Sequence, residues 1–586
     1  MRVGTPAGRH VLLVTGRVWE CNTDGVNADL AEVLRGTSLL SSMSEADLDA
    51  LLPRIRHRRL ISGELLFAEG DRSEDLAIIL SGRLASTRAG DLIGESVHGE
   101  AVGELGVLTG EPRVTTVTAV RDSEVLLIPR AAVHDVIRAN PQLAVELASM
   151  VAQRLRHPAG RHRSLEIVVV VADSESADAI GLANELAIAL DAHVVRQLDS
   201  ERDLHHLVEQ VDRDDRRVVL LAEGDDWWRE SCRRQADVVL RVVSAADRPR
   251  RLDFGTRDEL VVLHDDGTTP RGTGIWLHDA PVAHHHLRRR HAGDLDRLKR
   301  RVLGRTIGVV LSGGGARGMA HLGAYRALIE AGVPIDHVGG TSMGAITGVQ
   351  MAMQHDPMAL IAANRALFLR ANVGRKFTMP VVSMMSVRTV LPVFKELFGD
   401  ADLADSWIPN YVSVADFSDC SLTFRDRGPA GTWVRASASP PGIWPPVVDE
   451  HGHLYVDGGV LDNLPVAAMR QRAAGKVIAV NVSRVTPFGV EPGTDEVTSW
   501  FRLVDPRRRH RASGYPTLPK LLLRLGLLTS LPRQAAESKL ADLYVEPPVS
   551  QFGMGQFARF DTIVEAGYDA MRRALDERGD EVFSWC

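Results

Sequence analysis

The sequence predicts a multidomain α/β protein with an N-terminal β-roll and flanking helices, a middle α/β unit and a C-terminal α/β domain. Three observations carry this. Short apolar strands separated by glycine turns, such as LLFAEGD, AIILSG and EVLLIP, fill residues from about 28 to 150. The continuous apolar run IVVVVAD opens an alternation of strands and helices from about 165 to 290. A third buried-strand pattern, TIGVVL, begins at Thr306 and runs straight into a glycine loop. At roughly 100–200 residues per domain, the 586-residue chain has room for three or four domains.

Composition narrows the class. Hydrophobic residues are 45% and charged residues 25% of the chain, as in an ordinary globular protein. A formal charge of −7 gives no argument for a nucleic-acid partner, and none is expected. Cys21, Cys232, Cys420 and Cys586 are scattered without a CxxC pair, so neither a disulfide framework nor a metal site is expected, and a reducing cytoplasm fits. The N-terminal apolar stretch Val11–Thr15 is shorter than the ~7–15 residues of a secretory core. No apolar run approaches the ~20 residues of a membrane span. The expected location is the cytoplasm, with at most peripheral contact at the inner membrane face.

The expected order is an extension over 1–27, the roll with its helices over 28–157, a linker at His157–Ser164, the α/β unit over 165–290 and the last domain over 300–586. The α/β unit has no phosphate-cradling glycine loop after its strands and is expected to connect its neighbours. The basic stretch HHHLRRRHAGDLDRLKRR then reads as a solvated helix surface, with contact to anionic lipid headgroups as the alternative.

The chemistry starts at Ser312. Strand, glycine loop (Gly313, Gly314, Gly315, Ala316, Arg317, Gly318) and helix MAHLGAYRALIEAG form an anion-binding layout, because glycines let backbone N–H groups converge at a helix start. A dinucleotide pyrophosphate and the oxyanion of an acyl-transfer intermediate both suit it. The next motif decides: Gly340-Thr341-Ser342-Met343-Gly344 lies between an apolar segment and a helical one, the context of a nucleophile elbow. Ser342 then needs a base. His510 sits among arginines in RRRHR, which suits a solvated loop. Asp457, at the end of the apolar LYV before Gly458 and Gly459, is the better candidate, since a carboxylate shielded from water is a stronger base. Asp462 reads as a helix cap before Leu464-Pro465.

The three motifs, in this order, resemble those of the patatin-like phospholipases. The resemblance spans about 305 to 575, with core motifs over 306–466, and includes VRASASPPGIWPPV at 434–447. It implies a patatin-like α/β hydrolase domain and a serine–aspartate dyad without histidine. Ser342 is then the nucleophile, Asp457 the proton acceptor, the Gly313–Gly318 backbone the oxyanion hole, and Gly340, Gly344, Gly458 and Gly459 the motif glycines. Substrates would be lysophospholipids or phospholipids, with no cofactor for catalysis. Arg317 is read either as a phosphate ligand or as a carboxylate partner, and His321 as a packing residue.

Residues 99–117, GEAVGELGVLTGEPRVTTV, resemble the phosphate cassette of cyclic-nucleotide-binding domains. Arg113 would neutralise the cyclic phosphate and Glu104 accept a ribose hydroxyl, with Gly103, Leu105, Val114 and Thr115 completing the cradle. Val114 departs from the small or hydroxyl residue frequent there. The resemblance implies cyclic AMP or cyclic GMP as an effector; the scaffold alternative pairs Arg113 with Glu104. Together the two domains resemble the neuropathy-target-esterase branch. The competing class is a cyclic-nucleotide-sensing protein whose inactive patatin domain only docks lipid or a partner. Finally, LPKLLLRLGLLTSLP (518–532) reads as a helix of about 12 residues between Pro519 and Pro532, either buried core or a lipid-facing lip over the site.

Overall fold

The computed structural model describes residues 12–14, 17–19, 48, 51–141, 144–149, 165–214, 216–371, 382–473, 475–484 and 518–585. They form two compact units. The first holds the chain up to Asp247 with Asp253–Leu263 and Arg289–Gly304; the second holds Arg248–Leu252, His264–Arg288 and the chain from Arg305.

In the first unit, strand Asp75–Ser81 shows how the β-roll is built. Leu76 and Ile78 pack on one side among Leu126, Ile128 and Val133 of helix Arg130–Ala139, while Ala77 and Ile79 pack on the other among Leu84, Val117 and Val125. The two-residue period of a strand thus feeds two cores, one under the helix and one between sheets. The sheets are four-stranded and antiparallel, one containing Arg56–Leu60, Ser123–Pro129, Asp75–Ser81 and Ala101–Val102, the other Leu65–Phe67, Thr116–Ala119, Arg83–Arg88 and Asp91–Val97.

The α/β layer places His193–Val195, Val218–Leu221, Ile167–Ala172, Val238–Ser244 and Asp258–His264 side by side, each parallel to its neighbour. Two arginines of the roll enter this layer. Arg83 Nε lies 3.1 Å from Asp237 Oδ1, and Arg121 pairs with Asp212 and, at 3.0 Å, with Glu166. Both guanidiniums are buried, where only close carboxylates make a charge tolerable. The roll and the middle α/β region, expected as separate domains, therefore share one unit, whereas His264–Arg288 belongs with the C-terminal unit.

Three other expectations change. Leu12–Val14 pairs antiparallel with Arg17–Trp19, so part of the extension is a hairpin; the rest of the extension, the segment ADLAEVLRG at the start of the expected flanking helices and the linker His157–Ser164 lie outside the described residues. The basic stretch is not one solvated helix: His284–Arg288 is a strand with His284, His285 and His286 buried, and the helix is confined to Ala292–Val302. The leucine-rich helix runs over Leu518–Glu537 with Pro532 inside it, so that proline does not stop the helix.

The second unit is built on a mixed sheet in the order Val447–Val448, Leu454–Asp457, Asn410–Asp416, His337–Thr341, Ile307–Leu311, Lys476–Val480 and Leu543–Val545, with Ser421–Arg425 also paired to Asn410–Asp416. Ile307–Leu311 is parallel to both neighbours and buried at every residue, which is why it reads as a continuous apolar run. Leu454–Asp457 is antiparallel to Asn410–Asp416, with Asp457 opposite Val414. Among the described residues no helix is long and apolar enough to cross a membrane.

Candidate active site

The glycine loop begins where Ile307–Leu311 ends. Ser312 is held on three sides: its N–H donates to Val480 O (3.1 Å), its Oγ accepts from Val482 N–H (2.9 Å), and its carbonyl accepts from His321 Nε2 (2.8 Å). Burial pushes the His321 ring down to about 4, so it is neutral, and its bond to a carbonyl requires the proton on Nε2. His321 anchors the loop rather than merely filling space. Beyond Ser312 the chain turns through Gly315 (φ +56°) into a 3₁₀ turn, Gly315–Met319, and then helix Ala320–Glu330.

Not all the loop amides converge on one point. The Gly313 N–H donates to Asn463 O (3.4 Å), that of Ala316 to Met554 O (2.8 Å) and that of Arg317 to Gly314 O (3.3 Å). Gly314 and Gly315 have N–H groups without a partner among the described residues, and with Gly313 they border the cavity; Ala316, Arg317 and Gly318 are not among its lining residues. Within the expected donor set, Gly313 to Gly318, the N–H groups of Gly313, Ala316 and Arg317 are thus committed to carbonyls, which leaves those of Gly314 and Gly315 facing the cavity. Gly318 instead makes room for Met343, whose side chain a Cβ there would strike. Arg317 serves neither expected purpose: Nε, Nη1 and Nη2 donate to the carbonyls of Phe552, Arg484 and Ser550 at 2.6, 3.0 and 2.8 Å. Asp336, the acidic residue that a dinucleotide reading would send to a ribose, accepts the Ile307 N–H at 2.9 Å.

Strand His337–Thr341 delivers Ser342, and helix Met343–Ala352 leaves it. Ser342 has φ 57° and ψ −121°, a strained backbone for a residue with a side chain. Gly340 and Gly344 permit it: a Cβ on the first would strike Gly344 O, and one on the second would strike Leu311 O. The Ser342 N–H donates to Ser437 Oγ (2.8 Å), leaving the adjoining Met343 N–H, at the first helical position, without a partner among the described residues.

Asp457 closes the site. Its Oδ1 accepts the Gly459 N–H (2.8 Å), and the Ser342 hydroxyl stands near enough to favour the ionised carboxylate. The side chain is buried, and burial pushes the carboxyl up to about 7 against the opposing pull of the Gly459 N–H and the Ser342 hydroxyl. Gly458 and Gly459 are packed too tightly for side chains, the first against Ser413 and the second against Asn463 Oδ1. Asp462 stands apart: Oδ1 accepts the Leu464 N–H (3.0 Å) and Oδ2 meets Arg533 Nε (3.1 Å). It therefore caps the turn ahead of helix Val466–Arg472. His510 lies outside the described residues.

Ser342 and Asp457 face a cavity of about 380 Å³ walled by apolar side chains, including Ile346, Phe368, Phe394, Trp444 and Leu522. Among the described residues that line it, Asp457 is the one charged side chain. Leu522 and Gly526 bring the leucine-rich helix to this wall, while Leu521, Leu525 and Leu528 are 44%, 62% and 59% exposed. The helix is thus both wall and surface, which the two expected alternatives treated as exclusive. Motif reading missed Ser437 and Asn463, although the first lies within VRASASPPGIWPPV and the second four residues after Gly459; a small polar residue beside a motif was the available signal.

In the β-roll, Gly103 (φ +85°) opens the short helix Glu104–Thr109, and Glu104 and Arg113 are both buried. Arg113 Nη1 donates to Gly103 O (3.0 Å) and Nη2 to Asp75 O (2.6 Å), with the guanidinium 3.6 Å from the centre of the Phe67 ring. These hydrogen bonds run to main-chain carbonyls, while the carboxylates of Asp75, Asp71 and Glu104 lie near enough to act on the guanidinium's charge. Leu105 and Thr115 are half-buried and Val114 is 41% exposed.

The comparisons with known proteins follow this division. The model of the patatin-like phospholipase family matches residues 309–470, and that of the cyclic nucleotide-binding domain matches 57–140. An uncharacterised protein of Mycobacterium bovis assigned to the NTE family is 30% identical over 579 residues, covering 94% of this chain and 98% of that one. The chain belongs to the NTE family. Other NTE relatives are larger: a lysophospholipase of Coccidioides immitis is 28% identical over 89% of this chain but 40% of its own length, and one of Aspergillus terreus is 27% identical over 89% and 42%. The chain thus spans about two fifths of these lysophospholipases. The regulatory domain of Toxoplasma gondii PKA with cAMP matches 20% of this NTE chain and 45% of that chain at 28% identity, with a TM-score of 0.19.

Proposed function

We propose that this NTE-family chain is a serine esterase that hydrolyses acyl esters of lysophospholipids or phospholipids through a Ser342–Asp457 dyad. The observation that carries the reading is that Ser342, at a strained elbow, and the buried Asp457 carboxyl line one apolar cavity, with the Ser342 hydroxyl near enough to favour the ionised carboxylate. Ser342 Oγ attacks the acyl carbonyl and its proton passes to Asp457. The oxygen that becomes negative is met by the unpartnered N–H groups of Gly314, Gly315 and Met343. The tetrahedral intermediate expels the glycerol oxygen, which takes the proton from Asp457, and the acyl group stays on Ser342. Water then adds with Asp457 again as base, and the fatty acid leaves. A carboxyl near 7 suits both directions of transfer, since a base poised near the working pH accepts and returns a proton readily.

The apolar wall supports an acyl chain as the part of the substrate that is buried. The exposed stripe of Leu521, Leu525 and Leu528 on a helix that also lines the cavity supports peripheral contact with a membrane, from which such a chain would be taken. The proposed setting is the cytoplasm at the inner membrane face; the free Cys232 and Cys420 suit a reducing compartment. The β-roll is proposed to bind cyclic AMP or cyclic GMP at Arg113, where the cyclic phosphate replaces the carbonyls of Gly103 and Asp75 as partner, and so to modulate hydrolysis.

The test is hydrolysis of a panel of monoacyl and diacyl phospholipids, with and without each nucleotide, alongside labelling by a fluorophosphonate probe. Turnover and labelling by the wild type, both lost in Ser342→Ala, are expected. A folded wild type that neither turns over nor labels overturns the enzyme reading in favour of a binding module.

A further inference from the structure

The geometry points to Ser437 as a positioning residue for the nucleophile, an inference that rests on the proposed esterase reading. Ser437 closes helix Ala430–Ser437 and is fully buried. Its Oγ accepts the Ser342 N–H at 2.8 Å and donates its own proton to Ser413 O at 2.7 Å. One hydroxyl therefore joins the elbow peptide to strand Asn410–Asp416.

That strand also sets the base. Ser413 precedes Val414, the cross-strand partner of Asp457, and Gly458 lies so close to Ser413 that a Cβ would be 2.5 Å from its Oγ. The chain of contacts from Ser342 N–H through Ser437 Oγ to Ser413 references nucleophile and base to one strand. Ser342 needs such a reference because its backbone is strained, and strain persists only where surrounding contacts over-determine it. A second consequence concerns the oxyanion. With its N–H spent on Ser437, Ser342 contributes no main-chain donor to the cavity, and that task falls to Met343 and the first part of the glycine loop.

The experiment compares Ser437→Ala and Ser437→Cys with wild type in the full chain. On a monoacyl phospholipid, Ser437→Ala is expected to lower kcat by roughly 10–100-fold and leave KM within about twofold, because positioning matters most in the transition state. Ser437→Cys keeps a side chain of similar shape with a weak donor and acceptor, and is expected to lose roughly 3–10-fold in kcat. Hydrogen exchange of a peptide covering 338–346 reads the clamp without any turnover: exchange at the Ser342 amide should quicken in both variants. A folded Ser437→Ala with wild-type kcat overturns the proposal, as does unchanged exchange. Should Ser437→Ala not fold, wild-type kcat or exchange in Ser437→Cys overturns it equally. A wild type without esterase activity sinks the hydrolase reading, and the exchange measurement still decides for or against the clamp.

Discussion

Ser342 and Asp457, 115 positions apart in the chain, line one cavity, where the Ser342 hydroxyl favours the ionised form of a buried carboxyl that also accepts the Gly459 N–H. If these two residues act as one unit, their deletions do not add. Ser342→Ala and Asp457→Asn should each lower kcat by at least about 10³-fold, and the double variant should be no worse than the poorer single one. Single-turnover kinetics on a chromogenic acyl ester measures this; additive losses would mean that the two side chains act independently.

The raised Asp457 carboxyl sets the pH response. Only its ionised form accepts a proton, so kcat/KM should climb about tenfold per pH unit at low pH and level off above about 7. Stability moves the other way. The folded state holds this proton more tightly than the unfolded chain, whose carboxyl titrates near 3.9, so the folded chain loses stability as pH rises from about 4 to about 7. Asp457→Asn removes that cost. Its melting temperature should exceed that of wild type at pH 8, with a smaller gap at pH 5, as read by calorimetry at both pH values.

The leucine stripe predicts a surface effect separable from chemistry. Replacing Leu521, Leu525 and Leu528 by serine removes three exposed apolar side chains, each worth up to about 1.5–3 kcal/mol if it is buried fully in lipid. Sedimentation with anionic phosphatidylglycerol vesicles should drop at least tenfold, while hydrolysis of a soluble short-chain ester stays within about twofold. Equal vesicle binding by the folded variant would assign the stripe to something other than a membrane.

In the first unit, Asp237 is the shared carboxylate of Arg83 and Arg121 and also accepts the N–H groups of Glu166 and Ile167 at 2.8 and 3.0 Å. Asp237→Ala should destabilise this unit by about 3–5 kcal/mol, because it leaves two buried cations short of a partner. Chemical denaturation of the variant gives the value; a loss below about 1 kcal/mol would show that the remaining carboxylates suffice.

Arg113 predicts the nucleotide response. Calorimetric titration of wild type with cyclic AMP and cyclic GMP should show binding that weakens about 10–100-fold in Arg113→Ala, the usual loss for a charge-assisted bond. Indifference of affinity to this change would remove the arginine from the site and leave it as the tie between Gly103 and Asp75.

The local chemistry of the catalytic region was legible in the chain alone. The continuous apolar run Ile307–Leu311 could only be a buried strand, and Gly340 and Gly344 around Ser342 mark a turn that side chains would block. The same holds for the continuous apolar run Leu76–Leu80 within Asp75–Ser81, which announces a strand with two packed faces. These signals are legible because sterics and periodicity act over a few residues.

Contacts between distant segments were decided only by the tertiary structure. Arg317 looks like a ligand for an anion until the carbonyls of Phe552, Arg484 and Ser550 come round to meet it. Arg83 and Arg121 look like surface charges until Asp237 is brought beneath them. Ser437 carries no signal beyond being small and polar until its hydroxyl stands between Ser342 and Ser413. A hydrogen bond depends on positions in space, and residues far apart in the chain acquire those positions only when the sheet and its helices have packed.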